Sequence, residues 1–121
     1  MVNNQCNEWI FQWNTFEDDQ LFLFEDWIKP ATVADFRDKD VLECGCGGAN
    51  HTLFMAGVAK SITAVDLNTV EVARQRVAHR DNATLIEADI TSMDLGRQFD
   101  VVVCIGVIHH TDDPTATFAN L

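Results

Sequence analysis

Basic residues are what this chain has least of: 8 Lys and Arg stand against 19 Asp and Glu, a formal net charge of −11 over 121 residues. Binding a polyanion needs clustered Lys and Arg. The eight here form no run, so the composition points away from nucleic acid as a partner. No apolar stretch reaches the roughly 18 residues that cross a bilayer, which points away from a membrane protein. Residues 1–8 are polar and lack both regions of a signal peptide, so the expected location is the cytoplasm. Four cysteines (Cys6, Cys44, Cys46 and Cys104) are too sparse for a disulfide scaffold and fit reduced thiols. A single glycine separates Cys44 from Cys46, a spacing that suits neither the common zinc pairs nor an internal disulfide, so no metal site is expected. What is present, 47% hydrophobic and 22% charged residues, is the composition of one core-forming domain.

The chain divides near residues 38–40. Residues 1–39 are acidic and aromatic, with Trp9, Trp13 and Phe16 at helical spacing and Leu21, Phe24 and Ile28 repeating the pattern. Two short amphipathic helices are expected, the second stopped by Pro30. The segment either packs onto the following core or forms a lid over a ligand.

Residues 40–121 alternate strand and helix. Residues 41–44, 61–65, 84–87 and 101–105 read as strands, the last apolar enough to be buried on both faces. Residues 50–58 and 69–80 read as helices, the second capped by Asn68 or Thr69, and Pro114 opens a third. The pattern predicts an α/β domain built on a parallel sheet.

Glu43-Cys44-Gly45-Cys46-Gly47-Gly48 joins the first strand to the first helix. Glycines suit a turn of unusual backbone angles against which a ligand must approach closely, with the helix amides near Asn50 pointing at it. Two ligand classes compete for such a turn, a dinucleotide and an adenosyl group without phosphate. The dinucleotide fingerprint wants a glycine where this chain has Asn50. Glu43 would also repel a pyrophosphate, whereas it suits the ammonium of an amino-acid moiety. Asp66 closes the second strand, where a carboxylate accepts hydrogen bonds from both ribose hydroxyls, or else serves as a turn or cap residue. Asp89 closes the third, able to accept from an adenine amino group with Ile90 or Leu67 on the ring face, or else a plain turn aspartate. Ligands of open α/β sheets sit at the switch point, here between the first and fourth strands, which brings Ile105, Gly106, His109 and His110 nearby.

Together these residues resemble the class I S-adenosylmethionine-dependent methyltransferases. Residues 41–48 resemble their first motif, residues 64–67 the second-strand acid, and residues 88–90 the adenine-side motif. Residues 99–114 resemble the fourth-strand block of the small-molecule branch that includes ubiquinone and menaquinone methyltransferases. The resemblance implies a Rossmann-like sheet of which the order 3-2-1-4 is present, and S-adenosylmethionine as cofactor. Glu43 and the backbone of Gly45, Cys46 and Gly47 would hold the methionine end, and Asp66 the ribose. Leu67 would pack on the adenine, Asp89 and the Ile90 backbone would read its edge, and Ile105 would line the cofactor. His110 is the candidate general base for a small-molecule acceptor that must lose a proton.

The sequence departs from the family in holding Ala49 at a glycine position and in lacking the later strands of a seven-stranded sheet. A cofactor-binding portion, residues 40–121, is therefore expected. Its apolar fourth-strand edge would be covered by missing chain or by a second copy. Two other readings remain: a fragment of an NAD(P)-binding oxidoreductase, and a non-catalytic binding module built on the methyltransferase fold.

Overall fold

The structure, a computed structural model, describes residues 21–68 and 70–121. The helix expected around Trp9, Trp13 and Phe16 lies outside the described residues. Helix α1 (Leu21–Trp27) leads into a short 3-10 helix (Val33–Phe36), then β1 (Asp40–Cys44), α2 (Asn50–Ala56), β2 (Ser61–Asp66), α3 (Val70–Arg76), β3 (Ala83–Glu87) and β4 (Val101–Val103). A second 3-10 helix (Ile108–His110) and α4 (Pro114–Asn120) follow.

The four strands are all parallel, in the order β3-β2-β1-β4. The chain first moves outward from β1 through β2 to β3, then returns to the other side of β1. That reversal is the switch point, and it lies beside the glycine turn.

Strand alternation sorts the core. Val41, Ile62 and Val103 point to one face, where they pack with Phe24, Phe36, Met55 and Ala56 from α1, the 3-10 helix and α2. Ala64 continues that face against Ala49, Ala73 and Val77. Leu42, Cys44 and Val65 point to the other face and meet Ile90, Met93, Leu95, Phe99 and Leu121. Phe24 and Met55 are fully buried. Each contributes about 1.5–3 kcal/mol from apolar burial.

β4 is shorter than its hydrophobic run, and it is not buried on both faces as that run predicts. Val103 is buried, whereas Val102 is 40% exposed. Val102 points to the second face, where it borders an open cleft of about 510 Å³ with Leu42, Phe99 and Leu121. Gly106 then takes a φ of +68°, and the chain turns away from the sheet.

Local chemistry explains the helix starts. Asp35 accepts the Thr32 N–H at 2.7 Å, opening the first 3-10 helix. Asp113 accepts the Ala116 N–H at 2.9 Å, and Pro114 occupies the first turn of α4.

Candidate functional site

The glycine turn is folded back over the end of β2. The Gly45 and Cys46 N–H groups both donate to the Val65 carbonyl, at 2.7 and 3.0 Å. The Gly47 N–H donates to Asp66 Oδ2 at 3.0 Å. Gly45 adopts φ +79°, and a Cβ placed there would stand 2.5 Å from a Val107 methyl. Glycine is thus required twice, by backbone angle and by the close approach of the segment after β4. Ala49 also adopts a positive φ, +68°, immediately before α2.

Glu43 is 3% exposed at the end of β1. Its Oε1 accepts the Thr52 hydroxyl proton at 2.6 Å. Its Oε2 is buried and has no hydrogen-bond partner among the described residues. Burial pushes the carboxyl up to about 8, against the opposing pull of the Thr52 hydrogen bond and with a further push from Asp66. An orphaned buried carboxylate oxygen is costly unless a donor arrives, and an ammonium is the donor that would also favour its charge.

In front of the turn lies a cleft of about 380 Å³ at the carboxyl ends of the strands. Gly45, Asp66, Leu67, Asp89, Ile90 and His110 all line it. Leu67 is 51% exposed, presenting an apolar face to the opening, while Ile90 is buried beneath. Asp66 also accepts the Asn68 N–H at Oδ1, 3.0 Å, so it closes a turn as well as facing the cleft. Asp89 does likewise: its Oδ1 accepts the Thr91 N–H at 2.9 Å. Each acid therefore closes a turn and also borders the cleft.

One expected residue stands elsewhere. Ile105, just beyond the end of β4, packs with the first-face core that includes Val103. Val107 is the apolar residue of that segment that borders the cleft. The Cys46 side chain is buried against Ala49, Ala64 and Ala73, leaving only its backbone to the turn. Burial pushes the Cys44 thiol up to about 12 and raises Cys46 and Cys104 as well, so none of the three is an activated nucleophile. His110 lies on the cleft wall and packs against His109, ring centroids 3.9 Å apart.

Sequence reading passed over Thr52, Thr91, Val107, Thr111 and Asp112. Thr52 carried a signal, a hydroxyl among the apolar residues of α2. The others lie in loops, where no periodicity marks a lining residue.

The profile of the methyltransferase domain matches residues 42–121. A ubiquinone biosynthesis O-methyltransferase of Thiobacillus denitrificans is 31% identical over 98 residues, which cover 77% of this chain and 41% of that protein. The chain thus spans about two-fifths of the length of such curated relatives. Among solved structures, the N-methyltransferase NodS of Bradyrhizobium japonicum, in complex with S-adenosyl-L-homocysteine, aligns with a TM-score of 0.73. It is 19% identical, and the match covers 95% of this chain and 63% of that one, a likeness of fold. A dimethyladenosine transferase from Plasmodium falciparum aligns with a TM-score of 0.55 and 25% identity over 60% of this chain and 28% of that one. With the profile match covering most of the described residues and the sheet order in agreement, the chain belongs to the methyltransferase-domain family, with the class I S-adenosylmethionine-dependent fold.

Proposed function

We propose that this chain carries the cofactor-binding part of an S-adenosylmethionine-dependent methyltransferase acting on a small-molecule acceptor. The observation that carries the reading is Glu43 Oε2, buried near the end of β1 with no hydrogen-bond partner among the described residues, an acceptor that a cationic amino group would satisfy. Glu43 and the backbone of Gly45, Cys46 and Gly47 hold the methionine end. Asp66 accepts from the ribose hydroxyls, Leu67 packs on the adenine, and Asp89 with the Ile90 backbone reads its edge. When bound, S-adenosylmethionine supplies an electrophilic methyl group on a sulfonium, a good leaving group.

The chain's own task is positioning, which is where the acceleration of such a displacement lies. His110 on the cleft wall takes a proton from an acceptor that carries one. The net charge of −11 supports a neutral or cationic acceptor over a polyanion. Its relatives' name, ubiquinone biosynthesis O-methyltransferase, supports a small hydroxyl-bearing one. Residues 1–39 form a cap, residues 40–121 the cofactor domain, and the protein works in the cytoplasm. The β4 edge is covered either by further chain or by a second copy, and sedimentation equilibrium would report the second case as a dimer.

Asn50 weighs against a dinucleotide. It stands where that fingerprint needs a glycine, yet it is buried and accepts a hydrogen bond from Arg76 on α3. Calorimetry with S-adenosylmethionine, S-adenosylhomocysteine and NADH decides between the classes. The two adenosyl ligands are expected to bind, and Asp66→Ala to weaken them about tenfold or more. Binding of NADH alone would overturn the reading.

A further inference from the structure

The two walls of the cleft come from different parts of the chain. Asp89, Ile90 and Thr91 follow β3, whereas Val107, His110 and Thr111 follow β4. In the strand order, β3 and β4 are the outermost strands, with β2 and β1 between them. Sheet hydrogen bonds therefore do not fix the spacing between these walls.

One buried hydroxyl connects them. Thr117 on α4 is fully buried and lies behind the cleft. Its Oγ1 stands 2.7 Å from Thr91 Oγ1 and 3.1 Å from Thr111 Oγ1. It is also 2.9 Å from the Asp113 carbonyl, one turn back in the helix. Thr111 donates its own proton to the Ile108 carbonyl at 2.6 Å. A hydroxyl has one proton to give. When Thr117 gives its proton to Thr111, Thr91 must donate to Thr117, and the hydroxyls order into one directional chain. It runs from Thr91 to Thr117 to Thr111 to the Ile108 carbonyl, with the Asp113 carbonyl a second acceptor for the same Thr117 proton. Asn120, one turn further along α4, donates to the Ile90 and Met93 carbonyls at 3.1 and 2.9 Å, holding the same β3-side wall.

We propose that Thr117 is a positioning residue for the adenosyl pocket: its hydroxyl ties the adenine-side loop after β3 to the loop after β4 and so sets the width of the cleft. The inference rests on the reading of that cleft as an adenosyl site. Thr117 does not itself line the cleft, and its effect passes through Thr91 and Thr111, which do. A valine keeps the shape and loses the tie, whereas a serine keeps the tie.

The experiment pairs amide hydrogen exchange with calorimetry on the full chain, in wild type, Thr117→Val and Thr117→Ser. In Thr117→Val the amides of residues 91–93 are expected to exchange faster, while those of β1 and β2 stay as in wild type. S-adenosylhomocysteine should bind about tenfold more weakly, with Thr117→Ser restoring both properties to near wild type. Unchanged exchange in Thr117→Val, or a serine variant no better than the valine one, would show that the hydroxyl is not the tie. Faster exchange with unchanged affinity would show a tie that does not shape the pocket, which also overturns the proposal. If wild type binds no S-adenosylhomocysteine, the adenosyl reading fails and the positioning role falls with it, while exchange still reports on the tie. Should Thr117→Val not fold, Thr91→Val cuts the same link from its other end and is expected to give the same pair of changes.

Discussion

Glu43 can be singled out from the sequence, whereas its surroundings cannot. Its position before the first glycine makes it a candidate partner for a cationic group. Only the fold shows that Thr52 satisfies one oxygen and burial strands the other. The consequence for stability has a definite sign. Burial raises the carboxyl from an ordinary value near 4.5 to about 8, so in that window the folded chain holds a proton that the unfolded chain has lost. Stability therefore falls as pH rises from 4.5 to 8, by an amount on the order of a few kcal/mol, and levels off above. Glu43→Gln should remove this slope and melt at a higher temperature than wild type at pH 8, while binding S-adenosylmethionine more weakly. Thermal melts of both proteins across that range test it, and parallel profiles would refute the buried-charge argument. Gly45 makes a second prediction. Gly45→Ala imposes a Cβ at φ +79° and 2.5 Å from Val107, and should cost about 2–3 kcal/mol. Adding Val107→Ala should recover part of this loss, because it relieves the contact and leaves the backbone strain.

At the scale of elements, the strands were legible because alternation and β-branched runs mark them directly. Their lengths were less so: β4 stops at Val103, since the turn at Gly106 carries Cys104 and Ile105 out of the ladder. The first 3-10 helix was missed although Thr32 and Asp35 stand at capping-box spacing, a signal the sequence does hold. The join between α1 and α2 could not be read at all, because it depends on residues far apart in sequence. His51 on α2 packs between Phe24 and Trp27 of α1, with centroid distances of 5.0 and 5.6 Å. Burial lowers its titration below the ordinary 6.5. A depressed histidine binds protons better unfolded than folded, so its neutral form supports the fold above that value and the support is lost as pH falls through the window. His51→Phe keeps a ring in place without a proton to gain. Urea titrations at pH 5.5 and 7.5 should show His51→Phe gaining more stability toward acid than wild type, the Glu43 contribution being common to both, and equal changes would remove His51 from the account.

Over the whole molecule, the order β3-β2-β1-β4 followed from the sequence because parallel crossovers leave few topologies, and the family resemblance selects among them. The cleft's two loop walls did not follow, since a loop's path depends on contacts such as Thr117 with Thr91. The charge balance, visible from the start, has a global consequence. Among the described residues the ion pairs are sparse: Lys29 with Asp26 and Arg74 with Glu71 are exposed neighbours on the same stretch of chain, and Arg97 reaches Asp40 only at 4.0 Å. Such pairs contribute little. The net charge of −11 therefore acts mainly as self-repulsion. Raising salt from about 10 mM to about 300 mM shortens the screening length from roughly 30 Å to less than 10 Å, and should raise the melting temperature. The same screening should weaken S-adenosylmethionine, which carries a net positive charge, more than S-adenosylhomocysteine, which carries none. Stability and affinity for the cationic ligand are then expected to move in opposite directions with salt. A melting temperature that falls with added salt would mean that attractive pairs outweigh the repulsion. Equal salt dependence for the two ligands would mean that the acidic field does not reach the cleft.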